Sequence, residues 1–297
     1  MSGKLKEVRE RIKSVNSTQQ ITKAMKMVSA AKLRKAQQAI TEMRPYANRL
    51  DKMLKNILSN LEGDATSSFG VAREVNHAIV VVVTSNRGLC GAFNTNIIKA
   101  AIAAIEGEYA PLLKKGNVKV LCIGKKGYDI LRKRYGMNAM ISDYVELFSD
   151  LSFDNVARVS QYLMDQFSTG ATDKVTACYG HFKNAGIQYP TTVQYLPVEK
   201  VEVEKTEQTK SKADYIFEPG MEGLLEELIP TILQTTFHKF LLDTHASEHG
   251  ARMTAMDKAS ENAEELMKEL KINYNKARQE AITKELSEIV GGAAALG

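Results

Sequence analysis

Two stretches without proline or glycine, Lys4 to Arg44 and Ala251 to Val290, lie near opposite ends of this chain. A helix of either length would extend about 60 Å at the usual rise per residue. A compact domain of 297 residues is only about 50 Å across, so either helix would project from a globule of its own chain. The two stretches therefore predict a rod that reaches towards a partner molecule.

Opposite charges on the two ends indicate that the helices pair with each other. Residues 1–60 contain 14 Lys and Arg against 4 Asp and Glu, whereas residues 221–297 contain 8 against 13. A basic segment alone would be typical of a protein that binds nucleic acid or an anionic membrane. An acidic segment of the same helical type favours pairing, because complementary charges set partner and orientation in coiled coils.

Apolar spacing within both stretches also fits a coiled coil. In the first stretch the apolar residues are Leu5, Val8, Ile12, Val15, Ile21, Met25 and Val28, of which the first four have the 3-4-3 spacing of a seam. Between and after these four the predicted seam becomes small or polar, with Thr18, Gln19, Thr22, Ala30 and Ala31. The face predicted for the second consists of Met253, Met256, Ala259, Ala263, Leu266, Leu270, Ile282, Leu286 and Ile289. Side chains are small around 24–32 and 251–260, so this level buries little apolar area and is expected to depend on outside partners. Helix is expected on both sides of Pro45, with a bend there.

The middle of the chain, about residues 75–195, has a different pattern. Continuous β-branched runs predict strands, and the segments between them read as helices. The predicted strands are 77–85, 118–124, 174–182 and 191–198, and the predicted helices are 96–105, 128–134 and 156–167. The last two strands are expected to form a hairpin around Asn184–Gly186. This alternation predicts a small doubly wound α/β domain with a Rossmann-like fold.

These patterns divide the chain into four parts. We expect one helix of a long coiled coil over 1–60, the globular α/β domain over 75–198, and a charged link over 199–213. The second helix of the coiled coil is expected over 214–297.

Two glycine-containing turns follow predicted strands, as phosphate-binding loops do. SNRGLCGAFN (85–94) and IGKKG (123–127) both lack GxGxxG, and neither has the lysine–hydroxyl pair of GxxxxGK[ST]. Tight strand-to-helix packing is therefore favoured, and a nucleotide-binding α/β protein with helical arms is the alternative. A nucleic-acid-binding coiled coil that uses the basic first helix is a further alternative.

No set of residues in the sequence has the spacing of a catalytic or metal site. His245 and His249 are four residues apart on one predicted helix, but HASEH is not the HExxH of a zinc enzyme. Ser85 and Cys90 have no histidine at a recognisable spacing. We therefore expect no enzymatic chemistry from this chain alone, and no cofactor or metal.

Targeting and redox signals point to the cytosol. No window approaches 18 apolar residues, and the first residues form neither a signal peptide nor a transit peptide. The three cysteines are widely spaced and lack a CxxC motif, which favours reduced thiols.

The C-terminal run ITKELSEIVGGAAALG leaves two interpretations open. A Glu-rich helix is expected to end at Gly291–Gly292 and to leave a short apolar tip. That tip is either a frayed tail or a smooth apolar end held inside a hydrophobic collar.

Several motifs resemble, in order along the chain, those of the gamma subunits of F-type ATP synthases. ITKELSEIVGGAAA (282–295) is similar to the family's C-terminal motif, and residues 12–37 are similar to its first helix. SNRGLCGAFN (85–94), DYIFEP (214–219), ASEHGARMTAM (246–256) and YNKARQEAIT (274–283) match as well. The resemblance covers essentially the whole chain.

This resemblance implies a central rotor shaft, present once per complex. In the family the terminal helices form a long antiparallel, asymmetric coiled coil inside a hexamer of alternating alpha and beta subunits. The globular domain lies below, on the c-ring and beside the epsilon subunit. Nucleotides bind the alpha and beta subunits, so the resemblance implies no catalytic residue and no cofactor in this chain. It further implies a peripheral place on the cytoplasmic face of a bacterial inner membrane, and coupling of ion flow to ATP synthesis or hydrolysis.

The resemblance also implies roles for individual residues. The positions implied to contact the alpha and beta subunits are Met25, Arg252, Gln279, Thr283, Glu285, Glu288, Ala293 and Leu296. Tyr215 and Glu218 match the foot that touches the c-ring and the epsilon subunit. The tip at Ala293–Leu296 would then lie in an apolar collar rather than fray.

Overall fold

The computed structural model describes residues 3–60, 69–70, 73–198 and 221–296. The helices are α1 (Gly3–Asn60), α2 (Phe93–Glu106), α3 (Ala110–Lys114), α4 (Lys125–Tyr135), α5 (Phe153–Ser168) and α6 (Met221–Leu296). The strands are β1 (Ala78–Val83), β2 (Val118–Ile123), β3 (Met140–Ile141), β4 (Lys174–Phe182) and β5 (Gln188–Leu196). Short 3₁₀ turns cover Met137–Ala139 and Leu147–Ser149. The predicted charged link at 199–213 lies outside the described residues.

The strands form one five-stranded sheet in the order β3-β2-β1-β4-β5. The first four are parallel, with Val80 of β1 opposite Val120 of β2 and Thr176 of β4. β5 runs antiparallel to β4, and the turn between them closes through reciprocal backbone hydrogen bonds between Asn184 and Ile187. The predicted α/β sheet and its hairpin are therefore confirmed.

Strand β1 is the central strand of the sheet, and both of its faces are covered. All six of its residues are buried, as expected for a continuous β-branched run in a parallel sheet. Ile79, Val81 and Val83 pack into a core that includes residues of α5 and α6. Val80 and Val82 pack into a second core that includes residues of α2, α3 and α4. Helices on both faces make the sheet doubly wound, as predicted.

A glycine in β4 allows helices to approach the strand closely. The amide of Gly180 donates to Thr244 Oγ1 at 3.2 Å, and its carbonyl accepts from Ser247 Oγ at 3.1 Å, so α6 is fastened to the strand. A Cβ atom on Gly180 would lie 2.6 Å from Cε2 of Phe93, the first residue of α2. Only a residue without a side chain fits between these two helices.

Both long helices run through residues that usually interrupt helices. α1 continues past Pro45, so the predicted helix on both sides of that proline is confirmed, and α6 contains Pro230. The predicted end of the second helix at Gly291–Gly292 is wrong, because α6 extends to Leu296. Each glycine costs a helix only about 1 kcal/mol relative to alanine, and the three alanines that follow have the highest helix propensity.

The described chain divides into two compact units. The paired-helix unit consists of Met1–Ala31 and Arg252–Gly297, and the sheet unit consists of Lys32–Ala251. The paired-helix unit contains the N-terminal part of α1 and the C-terminal part of α6. The sheet unit contains the sheet and the helices that cover it. Each unit is described separately below.

We predict that Gly180→Ala destabilises the sheet unit by about 1–3 kcal/mol, because the added methyl group overpacks a full core. Phe93 is only 7% exposed, so its ring has little room to move. Chemical denaturation of the full chain, followed by hydrogen exchange in β4, measures the loss. Gly186→Ala is the control, since the nearest atom to its Cβ is Asn184 Oδ1 at 3.6 Å. Equal stability of the two variants would contradict the prediction.

Candidate docking surface of the paired helices

A ladder of side-chain contacts joins the two helices of the paired-helix unit. The pairs are Lys4 Nζ with Glu280 Oε2 at 3.3 Å, Arg9 Nη2 with Tyr274 OH at 3.1 Å, Thr22 Oγ1 with Ser260 Oγ at 2.7 Å, and Lys26 with Asp257. Residue numbers rise in α1 as they fall in α6, so the helices are antiparallel, as predicted. Two of the four pairs are ion pairs with the basic residue in α1, which agrees with the charge asymmetry of the sequence.

The seam between these helices follows heptad spacing throughout. On the α1 side, Leu5 is buried and Val8, Ile12, Val15 and Gln19 are partly buried, and the seam continues through buried Thr22 and Ser29. On the α6 side, the buried positions are Met256, Ser260, Ala263, Leu270 and Ala277. In the half of the seam that contains Thr22, most of the buried side chains are small or polar. This half therefore gains little free energy from apolar burial.

Hydroxyl groups replace apolar contacts at the level of Thr22 and Ser260. Each hydroxyl has one proton and two possible acceptors: the other hydroxyl and a carbonyl of its own helix, at Gln19 for Thr22 and at Met256 for Ser260. One hydroxyl therefore donates across the seam while the other donates to its own backbone. Both groups are satisfied in a site where Thr22 is 8% and Ser260 is 6% exposed. An unpaired hydroxyl there would be costly.

The tyrosine contact near the far end of the ladder is electrostatic as well as steric. The guanidinium of Arg9 lies 5.9 Å from the ring centroid of Tyr274, in addition to its hydrogen bond. That hydrogen bond raises the pKa of Arg9, so the contact favours the charged form.

Large apolar residues of α1 face away from this seam. The exposed fractions of Ile21, Met27 and Val28 are 60%, 71% and 57%. Ile21 and Val28 lie off the seam, which passes through Gln19 and Thr22, as predicted, and through Ser29. We refer to Ile21, Met27 and Val28 as the outer apolar residues.

The last part of α6 has an exposed apolar stripe. Every residue from 282 to 294 is exposed. Ile282, Leu286, Ile289 and Val290 lie on one helical face, and we refer to them as the C-terminal stripe. Their exposed fractions are between 49% and 67%. A contiguous apolar face of this kind is typical of a surface that binds another protein.

The predicted contact residues differ in their exposure. Met25 is partly buried and Arg252 is 7% exposed, whereas Gln279, Thr283, Glu285, Glu288 and Ala293 are exposed. Leu296 is the final residue of α6. Tyr215 and Glu218 lie outside the described residues. The exposed members of the set therefore occupy the same part of α6 as the C-terminal stripe.

The backbone amides that could bind a phosphate at the start of α4 are already used. The amide of Lys125 donates to Asn86 Oδ1, that of Lys126 to the carbonyl of Ser85, and that of Gly127 to Thr84 Oγ1. Phosphate binding at a helix N-terminus requires such amides to point at the ligand. This turn therefore packs strand against helix.

The SNRGLCGAFN loop is closed by its own side chains. Asn94 accepts a hydrogen bond from the amide of Ser85 and donates to Ser85 Oγ at 2.7 Å and to Cys90 Sγ at 3.2 Å. Ligands of doubly wound sheets bind beyond the carboxyl ends of the strands where the strand order reverses. Here the ring of Phe93 packs between β1 and β4 at that end, against Gly180.

The three cysteines are buried and form no disulfide bond. Burial raises the pKa of Cys122 to about 12 and that of Cys178 to about 11. Both groups therefore remain protonated thiols near neutral pH, which makes them poor nucleophiles.

Comparisons with known proteins give a consistent result. A family model described as ATP synthase matches residues 4–296. The chain is 52% identical to the ATP synthase gamma chain of Cytophaga hutchinsonii and 51% identical to that of Flavobacterium psychrophilum, over 98% of both chains in each case. Its identity to the gamma chain of Chlorobaculum tepidum is 44%, again over 98% of both chains.

Solved structures share the fold. A chain of the Euglena gracilis mitochondrial ATP synthase, described as OSCP/F1/c-ring in rotational state 3, superposes with a TM-score of 0.66 at 22% identity, covering 100% of this chain and 95% of that one. A chain from the central stalk and c-ring of the Tetrahymena thermophila mitochondrial ATP synthase gives 0.56 at 23% identity, covering 81% and 99%. Across the described residues, none of the helices is long and apolar enough to cross a bilayer.

We predict that the Thr22–Ser260 pair contributes a coupling energy of about 0.5–1.5 kcal/mol to helix pairing. A double-mutant cycle of Thr22→Val and Ser260→Ala, measured by denaturation of the full chain, gives this value. The control cycle replaces Thr22→Val with Thr18→Val, because Thr18 is exposed and bonds only the carbonyl of Ser14 on its own helix. A coupling of zero in the first cycle would show that the hydroxyl pair is incidental.

Proposed function

This chain belongs to the family of ATP synthase gamma chains, and from that premise we propose that it is the central rotor shaft of an F-type ATP synthase. Identity of about half over nearly the whole chain to bacterial gamma chains carries the proposal. The shaft couples ion flow through the membrane sector to ATP synthesis or hydrolysis by rotating inside the catalytic head. It contributes no catalytic residue of its own.

The asymmetry of the paired-helix unit supplies the mechanical basis. A rotating shaft can only act on its surroundings by contacting them differently at each angle, because a ligand shifts an equilibrium only through differential affinity. The unit presents exposed apolar residues on α1 and exposed carboxylates such as Glu285 and Glu288 on α6. As it turns, each catalytic beta subunit meets these different surfaces in succession, and its conformation changes accordingly.

The C-terminal stripe provides the apolar contact with the head. Burial of this stripe in a collar of alpha and beta subunits removes its apolar surface from water, which stabilises the complex. The residues concerned are Ile282, Leu286, Ile289 and Val290. Ala293 and Leu296 follow on the same helix as its tip. Gln279 and Thr283, which are also exposed, add polar contacts along the same region.

A second group of contacts lies further along the shaft. Met25 is adjacent to Lys26, whose ammonium already pairs with Asp257, and the outer apolar residues are close by on α1. We assign Met25 and the buried Arg252 to coupling with beta-subunit loops. Tyr215 and Glu218 are assigned to the foot that contacts the c-ring and the epsilon subunit.

The position in the cell follows from these partners. The shaft is a peripheral subunit, present once per complex, on the cytoplasmic face of the bacterial inner membrane. It reaches the membrane through the c-ring rather than by insertion.

We predict that the isolated chain has no ATPase activity and assembles with alpha and beta subunits into an active complex. A triple variant in which Ser replaces Ile282, Leu286 and Ile289 should bind alpha and beta subunits with an affinity lower by more than about tenfold, because less apolar area is buried on assembly. Titration of the labelled chain into alpha and beta subunits measures the affinity. Lys276→Ser with Lys284→Ser is the matched control on the same helix. Equal affinity of the two variants would contradict the assignment, and failure of the wild-type chain to assemble would refute the rotor proposal itself.

We also predict that Met25→Lys uncouples rotation from ion transport more than it destabilises the shaft. The added ammonium lies at a level with little apolar burial, where it should seek carboxylates of a beta subunit. The measurement is the number of ions pumped per ATP hydrolysed in reconstituted vesicles, with Met25→Gln as the uncharged control. An unchanged ratio in Met25→Lys would remove Met25 from the coupling contacts.

A further inference from the structure

Two histidines of α6 bring their ring nitrogens together within the sheet unit. Nε2 of His245 and Nε2 of His249 are 3.0 Å apart, and the rings are nearly perpendicular at 76° with centroids 4.6 Å apart. His249 is 4% exposed, whereas His245 is partly buried and stacks on Phe148 at 6.1 Å. The two histidines are one helical turn apart, and the proposed rotor mechanism assigns them no role.

The separation of the two nitrogens matches that of neighbouring ligands on one metal ion. Imidazole nitrogens bind Zn²⁺ at about 2.0–2.1 Å, so two of them at an angle near 90–110° lie roughly 2.9–3.4 Å apart. We propose that His245 and His249 form a binding site for a divalent late transition-metal ion, of the class Zn²⁺, Ni²⁺ or Cu²⁺, that imidazole ligands prefer. This inference is independent of the rotor proposal.

The surroundings hold this turn of helix in place before any ion binds. Thr244 and Ser247 lie within the same turn, and both are hydrogen-bonded to Gly180 of β4. These bonds fix this turn of α6 against β4, so the backbone that carries both rings is held in one position. A preorganised pair of ligands binds more tightly than a flexible one, because less conformational entropy is lost.

When a metal ion binds, it takes the place of the proton that the two Nε2 atoms share. In the observed pair, one Nε2 is protonated and donates to the lone pair of the other. Metal coordination requires both Nε2 atoms to be free of protons, so the donor ring moves its proton from Nε2 to Nδ1, while the acceptor ring already carries its proton on Nδ1. Among the described residues, no group of three or more His, Cys, Asp and Glu side chains converges on a metal site. The proposed site therefore uses two protein ligands, and it needs solvent ligands to complete the coordination of the ion.

The test is metal binding to the tag-free full chain. At pH 7.5 we expect one Zn²⁺ per chain by calorimetry, and a Cu²⁺ electron paramagnetic resonance spectrum with hyperfine coupling to two nitrogens. His245→Gln and His249→Gln should each weaken binding more than about tenfold. His77→Gln is the control, because it removes a histidine that is 52% exposed and remote in sequence from the pair. Circular dichroism without metal checks that the variants are folded.

The dependence on pH gives a second measurement that needs no variant. Metal ions bind only imidazole nitrogens that carry no proton, so the affinity of the wild-type chain should fall at least tenfold between pH 7.5 and 5.5. Stoichiometric binding by both glutamine variants would overturn the proposal. Absence of binding by the wild-type chain, or binding that does not change with pH, would overturn it equally.

Discussion

The contact on which the paired-helix unit depends is polar. At the level of Thr22 and Ser260 the two helices meet through hydroxyl groups rather than through interdigitating leucines. Small side chains let two helices approach closely, but they remove little apolar surface from water. Orientation and register must then come from hydrogen bonds and from opposite charges, and the ion pairs of Lys4 and Lys26 supply them. Such exposed or partly exposed pairs are weak individually, so the unit relies on many modest contacts.

This weak seam explains why apolar residues are found elsewhere on the same helices. A helix that placed Ile21 and Val28 in its seam would pair more tightly with α6, but it would present a polar surface to its surroundings. The observed arrangement does the reverse, with the hydroxyls inside and Ile21, Met27 and Val28 outside. The apolar surface of these three residues is thereby left exposed instead of being buried in the seam. A shaft that must be gripped and released benefits from this distribution more than from a strong internal core.

Much of the fold was predictable from sequence because its signals are local. The β-branched run of β1 and the alternation of strands and helices identified the doubly wound sheet. Charge and spacing identified the pairing of the two long helices, and the family resemblance supplied their antiparallel orientation. The two-residue strand β3 and the five-residue helix α3 were missed, since elements this short have no periodicity to detect. In the candidate site, the burial of Arg252 and the outward direction of Ile21 depend on which helix face is covered. Composition does not contain that information.

The sheet unit shows why the strand order of a fold does not determine its function. Its parallel strands and glycine-containing turns resemble those of nucleotide-binding proteins. In this sheet unit, however, the backbone amides and glycines that would bind a nucleotide in such proteins make contacts within the protein. Gly124 has a positive φ of 97°, and a Cβ on it would lie 2.0 Å from the carbonyl oxygen of Thr84. This glycine therefore serves close packing of α4 on the strand ends rather than approach to a phosphate. With the α4 amides bonded to protein acceptors and Phe93 packed at the switch point, the sheet unit acts as a scaffold that holds α6.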